Sequence, residues 1–366
     1  MLNPWFRSGT AALALVQSFF SQSWPPAPGF TLQDLLTKGS EAGRVFIVTG
    51  ANAGIGLEVV KALYISGATI YLACRSAERA AKAIDEVRSA YKDTTSGHYA
   101  DGAPTEGVLH FLHLDLADMA SVHAFAVAFA ARESRLDLLF HIAGVGNVPR
   151  GTKTAQGLEA HLGINCVAPL ALTQALRPLL RSTASAPGVA AGSVRVIWTA
   201  SLSMETFTPR GGVDLAVLDD DEALSRVHPW RAYGVSKCGN WFLARECARR
   251  FREDSIVSVA VNPGQLRTDA WRHVSGAIMS LLRPTMYEAY MGVLPMLYAA
   301  FAPEVATEGC GCYVVPWGRI AARSAREDIE DALRGGAAER FREWCDAKAR
   351  GAVKKGASDL FTAQER

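Results

Sequence analysis

The sequence lacks both a net charge and a basic cluster. Its 38 lysines and arginines oppose 36 aspartates and glutamates, which leaves +2 at pH 7, and no more than two basic residues are ever adjacent. Charge-driven binding of nucleic acid or an anionic membrane needs a concentrated basic patch. We therefore expect no nucleic-acid partner. The composition, 49% hydrophobic and 20% charged, also excludes disorder or a fibrous repeat over the whole chain.

Paired cysteines and metal-binding motifs are absent as well. No Cys-x-x-Cys pair exists, and the Cys310-Gly-Cys312 spacing has no second pair to complete a zinc site. There is no His-x-x-x-His motif either, so we expect no metal. Scattered buried thiols are typical of a reducing compartment, which indicates a cytoplasmic protein. The seven cysteines are Cys74, Cys166, Cys238, Cys247, Cys310, Cys312 and Cys345.

The sequence has no apolar run long enough to span a bilayer. Residues 10–24 are apolar, but a spanning helix needs about 20 such residues. Pro25-Pro26 follows instead of a small-x-small cleavage pattern, so a secretory signal is not indicated. Two interpretations stay open: a helix packed on the body of the protein, or an amphipathic helix that gives peripheral membrane contact. We assign residues 1–42 to an N-terminal extension.

Glycine, by contrast, is abundant: many of the 32 glycines follow short apolar runs. From residue 44 these runs alternate with helical patterns, which predicts an α/β fold. We expect a single doubly wound Rossmann-type domain at 43–320, with a parallel sheet of about seven strands, and a C-terminal helical tail at 321–366. The predicted strands are 44–49, 69–73, 108–113, 136–142, 194–199, 255–261 and 311–315. The main predicted helices are 56–66, 77–91, 119–131, 157–181 (bent near Pro169) and 232–251.

Three glycines lie between the first predicted strand and the helix that follows it: Gly50, Gly54 and Gly56. Gly50 permits a tight turn, and a further glycine lets the backbone approach a pyrophosphate. The helix N-terminus offers free N–H groups to the negative charge. In this strand–turn–helix context the triplet predicts a dinucleotide site.

The end of the second strand indicates which dinucleotide binds. NAD sites place a carboxylate there for the ribose 2′-hydroxyl, but residues 72–76 read Leu-Ala-Cys-Arg-Ser. The Arg75 guanidinium matches the bidentate geometry of a 2′-phosphate, so NADP(H) is the predicted cofactor. Asp115, after the third strand, is a candidate acceptor for the adenine amino group and equally a candidate helix cap.

Tyr233 and Lys237 lie four residues apart on a predicted helix and therefore share a face. A tyrosine titrates at a pKa of about 10, and a nearby ammonium stabilises the phenolate and lowers that pKa. Such a tyrosine can protonate a carbonyl oxygen while a hydride arrives at the carbon. The pair predicts acid–base chemistry.

Two further polar residues fit the same chemistry. Ser201 follows the fifth strand, where its hydroxyl could hold the substrate oxygen; Ser203 is the alternative. Asn165 is a poor helix former inside a predicted helix, and its apolar neighbours disfavour a solvent-facing position. We interpret it as an amide that binds a water molecule.

These motifs, in this order, resemble the short-chain dehydrogenase/reductase family, closely over residues 44–270 and loosely over 271–320. The run Pro263-Gly264-Gln265-Leu266-Arg267-Thr268 matches as well. The resemblance implies Tyr233 as acid/base and Lys237 as ribose ligand and tyrosine modulator. It implies Ser201 as partner of the substrate oxygen and Asn165 as anchor of a relay water. The cofactor-binding residues that it implies are Gly50, Asn52, Gly54, Ile55, Gly56, Arg75, Asp115, Ala143, Gly144, Asn165, Tyr233, Lys237, Leu266 and Thr268.

Finer similarities point to particular branches. Cys74-Arg75 and the long Ser201–Tyr233 interval resemble the retinol-dehydrogenase-like branch. The runs 153–157 and 316–319 resemble filamentous-fungal members associated with secondary metabolism. The resemblance implies an NADP-dependent oxidoreductase that interconverts a carbonyl and an alcohol. Two alternatives stay open: a non-catalytic NADP-binding regulator, and an epimerase or dehydratase without net cofactor turnover.

One departure from the family pattern concerns the fourth strand. The family usually has Asn-Asn-Ala-Gly after it, where this chain has His141-Ile142-Ala143-Gly144. The small residues keep room for the cofactor, but the asparagine hydrogen bonds that tie down the strand end are lost unless His141 replaces one. We expect weaker cofactor binding or lower local stability, with the chemistry retained.

The substrate side is marked by large apolar residues at 269–301. They suit the cover of a cavity for a hydrophobic small molecule, although helix packing or a dimer contact would use them equally. The oligomeric state stays open: the helices 157–181 and 232–251 could form a four-helix homodimer seam, as is common in the family that the chain resembles, or the N-terminal extension could tether a monomer to a membrane.

Overall fold

A computed structural model describes residues 9–36, 40–94, 106–268, 274, 276, 279–280, 283–307, 311–321 and 323–364. Within these ranges, eight strands form one sheet in the order β3-β2-β1-β4-β5-β6-β7-β8. All neighbours are parallel except β7 and β8. The strands are β1 (Val45–Thr49), β2 (Thr69–Cys74), β3 (Val108–His113), β4 (Leu138–His141), β5 (Arg195–Thr199), β6 (Val257–Val261), β7 (Tyr313–Val315) and β8 (Arg319–Ala321).

The prediction of a doubly wound, largely parallel sheet is confirmed. The central strands β1, β4, β5 and β6 are buried along their whole length, as strands covered on both faces must be. The eighth strand was not predicted. It is a three-residue antiparallel edge strand that returns directly from β7, too short to give a pattern of its own.

Helices cover both faces of the sheet and enclose two apolar clusters. The chain order reverses between β1 and β4, so the crevice of the fold lies at the carboxyl ends of these strands. The α-helices are Gly9–Ser23, Leu32–Leu35, Gly54–Tyr64, Ala77–Thr94, Met119–Ala130, Ala160–Leu162, Ala168–Ala184, Ser203–Thr206, Asp221–Arg226, Pro229–Arg250, Val293–Phe301, Pro303–Thr307, Glu327–Arg334 and Ala337–Gln364.

The helix predicted at 157–181 is interrupted. A turn of π-helix at Gly163–Val167 separates Ala160–Leu162 from Ala168–Ala184, and the Ala168 amide donates to the Gly163 carbonyl five residues earlier. Pro169 has no amide hydrogen with which to continue the regular ladder. Single π turns of this kind are frequent at functional sites.

The C-terminal helix Ala337–Gln364 is packed into the structure. Its Phe341 is fully buried and contacts Phe242 on the Pro229–Arg250 helix edge to face. A Cβ at Gly239 on that helix would lie 2.7 Å from the Phe341 ring. The two long helices expected to form a homodimer seam therefore already pack against a third helix of the same chain.

The N-terminal helix Gly9–Ser23 packs on the body of the protein, with Gln22 and Ser23 buried. Its opposite side leaves Leu13, Val16 and Phe20 largely exposed. Among the described residues, no helix is long and apolar enough to cross a membrane.

Candidate active site

A cavity of about 370 Å³ lies at the carboxyl ends of the central strands. Several predicted site residues line it, although they come from five separate segments of the chain. They are Ile55, Gly144, Ser201, Tyr233, Lys237, Leu266 and Thr268.

The turn after β1 is shaped to receive a phosphate group. Gly50 and Gly54 have positive φ angles of 70° and 54°. A Cβ at Gly50 would lie 3.0 Å from the Ala143 Cα, and one at Gly56 would overlap the Gly50 carbonyl oxygen. The helix that begins at Gly54 has no side-chain cap from Ala53, so its first amides stay free for an anion. Asn52 lies half-buried within this turn.

Arg75 and Asp115 flank the region where the adenosine half would lie. Arg75 is exposed just after β2, and its guanidinium forms no ion pair with the described residues. The Asp115 Oδ1 accepts a hydrogen bond from the Ala117 amide at 2.9 Å. The N-cap of the next helix is Asp118, whose carboxylate accepts from Ala120. Asp115 is therefore not the helix cap, and the other predicted role for it stays open.

Ser201, rather than Ser203, faces the tyrosine. The Ser201 and Tyr233 side chains share a hydrogen bond. The Ser203 hydroxyl is buried without a partner among the described residues, while its amide donates to the Ser201 Oγ at 3.2 Å. Both serines line the cavity, but only the Ser201 side chain interacts with Tyr233.

Lys237 is buried, and its Nζ donates to the Thr199 carbonyl at 3.0 Å. The Nζ also lies 5.5 Å from the centre of the Tyr233 ring. Burial lowers the pKa of Lys237 to about 8, because the charged ammonium is desolvated. The Thr199 carbonyl also accepts from the Asn240 side chain at 2.8 Å.

The expected lowering of the tyrosine pKa is not found in the protein alone. Burial raises the pKa of Tyr233 to about 12, and the hydrogen bond from Ser201 only partly opposes this shift. The prediction was wrong because the Tyr233–Lys237 spacing shows proximity but not desolvation, and desolvation has the larger effect here. Tyr233 consequently holds its proton firmly at neutral pH.

Asn165 joins the end of β4 to the helix that carries Tyr233. Its Oδ1 accepts from the Val145 amide at 2.8 Å, and its Nδ2 donates to the Val145 carbonyl and to Ser236 Oγ. The side chain is therefore committed to protein partners. Pro169, four residues later, has no amide hydrogen to give to the Asn165 main-chain carbonyl, which leaves that oxygen as the group suited to a water.

The end of β4 is tied down by threonines from its neighbours. Thr49 Oγ1 accepts from the Ile142 and Ala143 amides, each at 3.0 Å. Thr199 Oγ1 donates to the His141 carbonyl at 2.7 Å. Side-chain hydrogen bonds therefore remain at this strand end although both asparagines are absent, and the expected weakening of cofactor binding or local stability stays a prediction. The signal available in the sequence was that β1 and β5 each end in threonine.

His141 itself points away from the cavity. Its Nε2 lies 2.7 Å from Thr173 Oγ1. Because that hydroxyl donates to the Pro169 carbonyl, the Nε2 must carry the proton that the hydroxyl accepts. Burial lowers the pKa of His141 to about 3, so the ring is neutral at physiological pH.

The apolar cover predicted at 269–301 is only partly described and stays a prediction. No described residue of 283–301 lines the cavity, and Met291 and Leu294 instead pack against Leu266 and Trp317. Most of 269–282 lies outside the described residues. Phe19, Phe207 and Trp230 supply large apolar side chains to the cavity. They were missed because they come from segments without a recognisable motif.

The six described cysteines are all free thiols, and five of them are buried. Burial raises the pKa of Cys166 and Cys238 in the core beside the active site. Within the described part of the chain, no group of His, Cys, Asp and Glu side chains is placed to hold a metal ion.

Comparison with known proteins reveals one family. The sequence model of the family described as short chain dehydrogenase matches residues 44–202. The short-chain dehydrogenase/reductase iacJ from Pestalotiopsis fici is 43% identical over 336 residues, 91% of this chain and 98% of the relative. Retinol dehydrogenase 12 from Homo sapiens is 32% identical over 79% of this chain and 84% of its own length. The solved NADPH-bound carbonyl reductase from chicken fatty liver has the same fold: TM-score 0.53, 23% identity, 77% of this chain and 100% of that one.

Proposed function

The chain belongs to the short-chain dehydrogenase/reductase family of oxidoreductases, and we propose that it uses NADP(H) to interconvert a carbonyl and an alcohol on a hydrophobic small molecule. The observation that carries this proposal is the convergence on one cavity of Ser201, Tyr233 and Lys237, with Asn165 directly behind them. A regulator without chemistry would have no need of this arrangement.

The proton is handled by Tyr233. The bound nicotinamide supplies or accepts a hydride. Ser201 holds the substrate oxygen, and the Tyr233 hydroxyl gives its proton to that oxygen during reduction. With a pKa of about 12, Tyr233 carries at neutral pH the proton that reduction requires. Lys237 and a water on the Asn165 carbonyl then resupply the proton.

The cofactor preference rests on two features of the chain. The glycine turn fits a pyrophosphate, because Gly50 and Gly54 have positive φ angles and side chains at Gly50 and Gly56 would collide with Ala143 and with the turn itself, so only glycines allow this tight turn. Arg75, exposed and free of ion pairs with the described residues, suits a 2′-phosphate, and no carboxylate stands at the end of β2. The glycine turn supports a dinucleotide cofactor of either kind, and Arg75 with the missing carboxylate supports NADP(H) over NAD(H).

The substrate class follows from the walls of the cavity. The described lining is largely apolar and includes Phe19, Phe207 and Trp230, and its polar groups include Ser201 and Tyr233. Such a lining suits an apolar compound with one carbonyl. Resemblance to filamentous-fungal members supports a place in secondary-metabolite biosynthesis.

Comparing the metabolites of the native host with and without the gene would identify the substrate. The purified protein should then oxidise NADPH, followed by absorbance, when that compound is added. Tyr233→Phe should lower kcat by about 10²–10⁴-fold, while Tyr290→Phe, at an exposed tyrosine that does not line the cavity, should not. Full turnover by Tyr233→Phe would exclude the acid role. Conversion without NADPH consumption would favour the epimerase or dehydratase alternative.

The exposed face of the N-terminal helix supports a peripheral membrane contact in addition to its packing on the body. Leu13, Val16, Phe20 and Trp24 form one apolar stripe on a helix without acidic or basic side chains in its terminal turns. The protein should float with neutral phosphatidylcholine vesicles, and a Leu13→Ser/Phe20→Ser variant should not. Equal behaviour of the two proteins would contradict this contact.

A homodimer through the two long helices would require displacement of the C-terminal helix, which covers them. We expect a monomer of 39.3 kDa by light scattering. A mass twice as large would contradict this expectation.

A further inference from the structure

The N-terminal helix Gly9–Ser23 reaches the active site. Its Phe19 side chain lines the same cavity as Ser201 and Tyr233. The helix precedes the first strand of the fold, and nothing in the motif that binds the cofactor requires it. Its contribution to the cavity is therefore an addition to the Rossmann-type core.

A buried carboxylate holds the helix in place. Glu205 is 2% exposed, and its Oε2 accepts from Ser18 Oγ at 2.6 Å and from Gln22 Nε2 at 3.2 Å. Its Oε1 accepts from Ser324 Oγ and from the Ala325 amide. Without the helix, one oxygen of a buried charge would lose both protein donors, which is costly. The docked helix thus satisfies Glu205.

Glu205 belongs to the segment that positions the catalytic serine. It lies on the Ser203–Thr206 helix, whose Met204 amide donates to the Ser201 carbonyl. The contact between the N-terminal helix and Glu205 therefore joins the helix directly to the turn that presents the Ser201 hydroxyl.

A second set of bonds joins the helix to the loop after β6. Asn262 Nδ2 donates to Gln22 Oε1 at 2.7 Å, and Gln265 Nε2 donates to Ser23 Oγ at 2.8 Å. Asn262 and Gln265 both line the cavity. The buried side of this helix is thus polar and bonded to cavity-lining residues, and Phe19 is the aromatic side chain that it adds to the cavity.

We propose that the Gly9–Ser23 helix is a fixed wall of the substrate cavity, that Phe19 contacts the substrate and limits its size, and that Glu205 is a positioning residue which holds this wall. The role of Phe19 toward substrate rests on the proposed carbonyl–alcohol function; the placement of the wall does not. Removing the ring would enlarge the cavity beside the reacting carbonyl and remove an apolar contact.

The first test compares two alanine variants on the compound that the wild-type protein reduces. Phe19→Ala should raise KM by about tenfold or more, with kcat changed by less than about threefold, because an apolar contact to substrate is lost. For Phe19→Ala, kcat/KM toward a bulkier ketone of the same class should rise relative to kcat/KM toward the original compound. Leu13→Ala, on the exposed face of the same helix, should change neither constant. An unchanged KM for Phe19→Ala would contradict the proposed contact between Phe19 and the substrate.

The second test needs no substrate. Phe19→Cys and Leu13→Cys are treated with fluorescein maleimide, with the wild-type protein as the measure of labelling at the native cysteines. Cys at position 13 should react at least about tenfold faster than Cys at position 19, because residue 13 is 58% exposed and residue 19 faces the cavity. Equal labelling rates at positions 13 and 19 would contradict the proposal that the Gly9–Ser23 helix is a fixed wall of the cavity.

The same readout tests the role of Glu205. Gln22→Glu, added to Phe19→Cys, brings a second carboxylate against Glu205 and should speed labelling at position 19 severalfold at pH 7.5. Gln17→Glu makes the same change on the exposed face and should have no effect. If Gln22→Glu leaves the labelling rate unchanged, Glu205 does not hold the wall.

The two tests separate this proposal from the function on which part of it rests. If no carbonyl compound is reduced but position 19 is protected and Gln22→Glu exposes it, the wall stands and the proposed function fails. If carbonyl reduction is found but position 19 reacts like position 13, the function stands and the wall fails.

Discussion

The two halves of the crevice are built by different means. On the cofactor side, the chain makes room with its backbone: glycines at the end of β1 and small residues after β4 stand where side chains would collide. On the proposed catalytic side, burial shifts the pKa values of Tyr233 and Lys237, and hydrogen bonds join the distant segments that carry the site. Substitutions on the first side should therefore act through shape, and those on the second through charge and proton affinity.

Gly56→Ala should have the largest effect on the cofactor side. The added methyl group would overlap the Gly50 carbonyl oxygen and lie 3.1 Å from the Ala51 Cα, both of them main-chain atoms with little freedom to move. We expect a loss of about 1–3 kcal/mol in folding or cofactor-binding free energy. Thermal unfolding and NADPH titration measure it. Gly29→Ala, where a Cβ meets nothing within 4 Å, is the control and should be neutral.

Arg75→Ala probes charge on the same side. Losing a charge-assisted contact to the 2′-phosphate should cost about 1.5–3 kcal/mol, which is roughly a 10- to 150-fold weaker NADPH dissociation constant. NADH affinity should stay the same, because NADH has no 2′-phosphate. Fluorescence titration with both cofactors tests this, and an equal loss for the two would refute the assigned role.

Lys237→Met probes the catalytic side through stability. Burial lowers the pKa of Lys237 from 10.5 to about 8, so between these pH values the unfolded chain binds the extra proton and the folded one does not. Wild-type stability should therefore rise with pH across this window relative to the variant. Below pH 8, the cofactor-free variant should melt a few degrees higher, since it buries no charge. The Thr199 carbonyl keeps its bond from Asn240. Parallel melting curves from pH 7 to 10.5 would contradict the prediction.

His141→Asn should have the smallest effect. Hydrogen bonds with Thr49 and Thr199 hold the carboxyl end of β4. The His141 side chain instead contacts Thr173. The NADPH dissociation constant should stay within about twofold, while the melting temperature falls because a buried ring beside Trp198 is removed. Much tighter NADPH binding would restore the view that this strand end lacks its hydrogen bonds.

The comparison also explains what the sequence could and could not predict. The glycine turn, Arg75 and the Tyr233/Lys237 pair are visible because each is a local pattern whose chemistry depends on neighbours a few residues away. Ser18 and Glu205 are hydrogen-bonded although 187 positions separate them in the sequence, and no local sequence pattern predicts such a contact. Phe19 was missed for the same reason.

The pKa of Tyr233 was the second property that the sequence predicted wrongly. The four-residue spacing indicated that Lys237 would lower the pKa of Tyr233, but burial raises it. Spacing within a helix fixes which residues are close and not how much water reaches them. Deciding whether Ser201 or Ser203 interacts with Tyr233 likewise required the local geometry of the four-residue helix Ser203–Thr206.

The central claim is that Tyr233 protonates a carbonyl oxygen while NADPH delivers hydride to its carbon. It is tested most directly with NADPH that carries deuterium at the transferable position, followed by mass spectrometry of the product. We predict one deuterium on the carbinol carbon with the wild-type protein, and almost no labelled alcohol with Tyr233→Phe although NADPH still binds. A converted product without deuterium, or full labelling by Tyr233→Phe, would contradict the account.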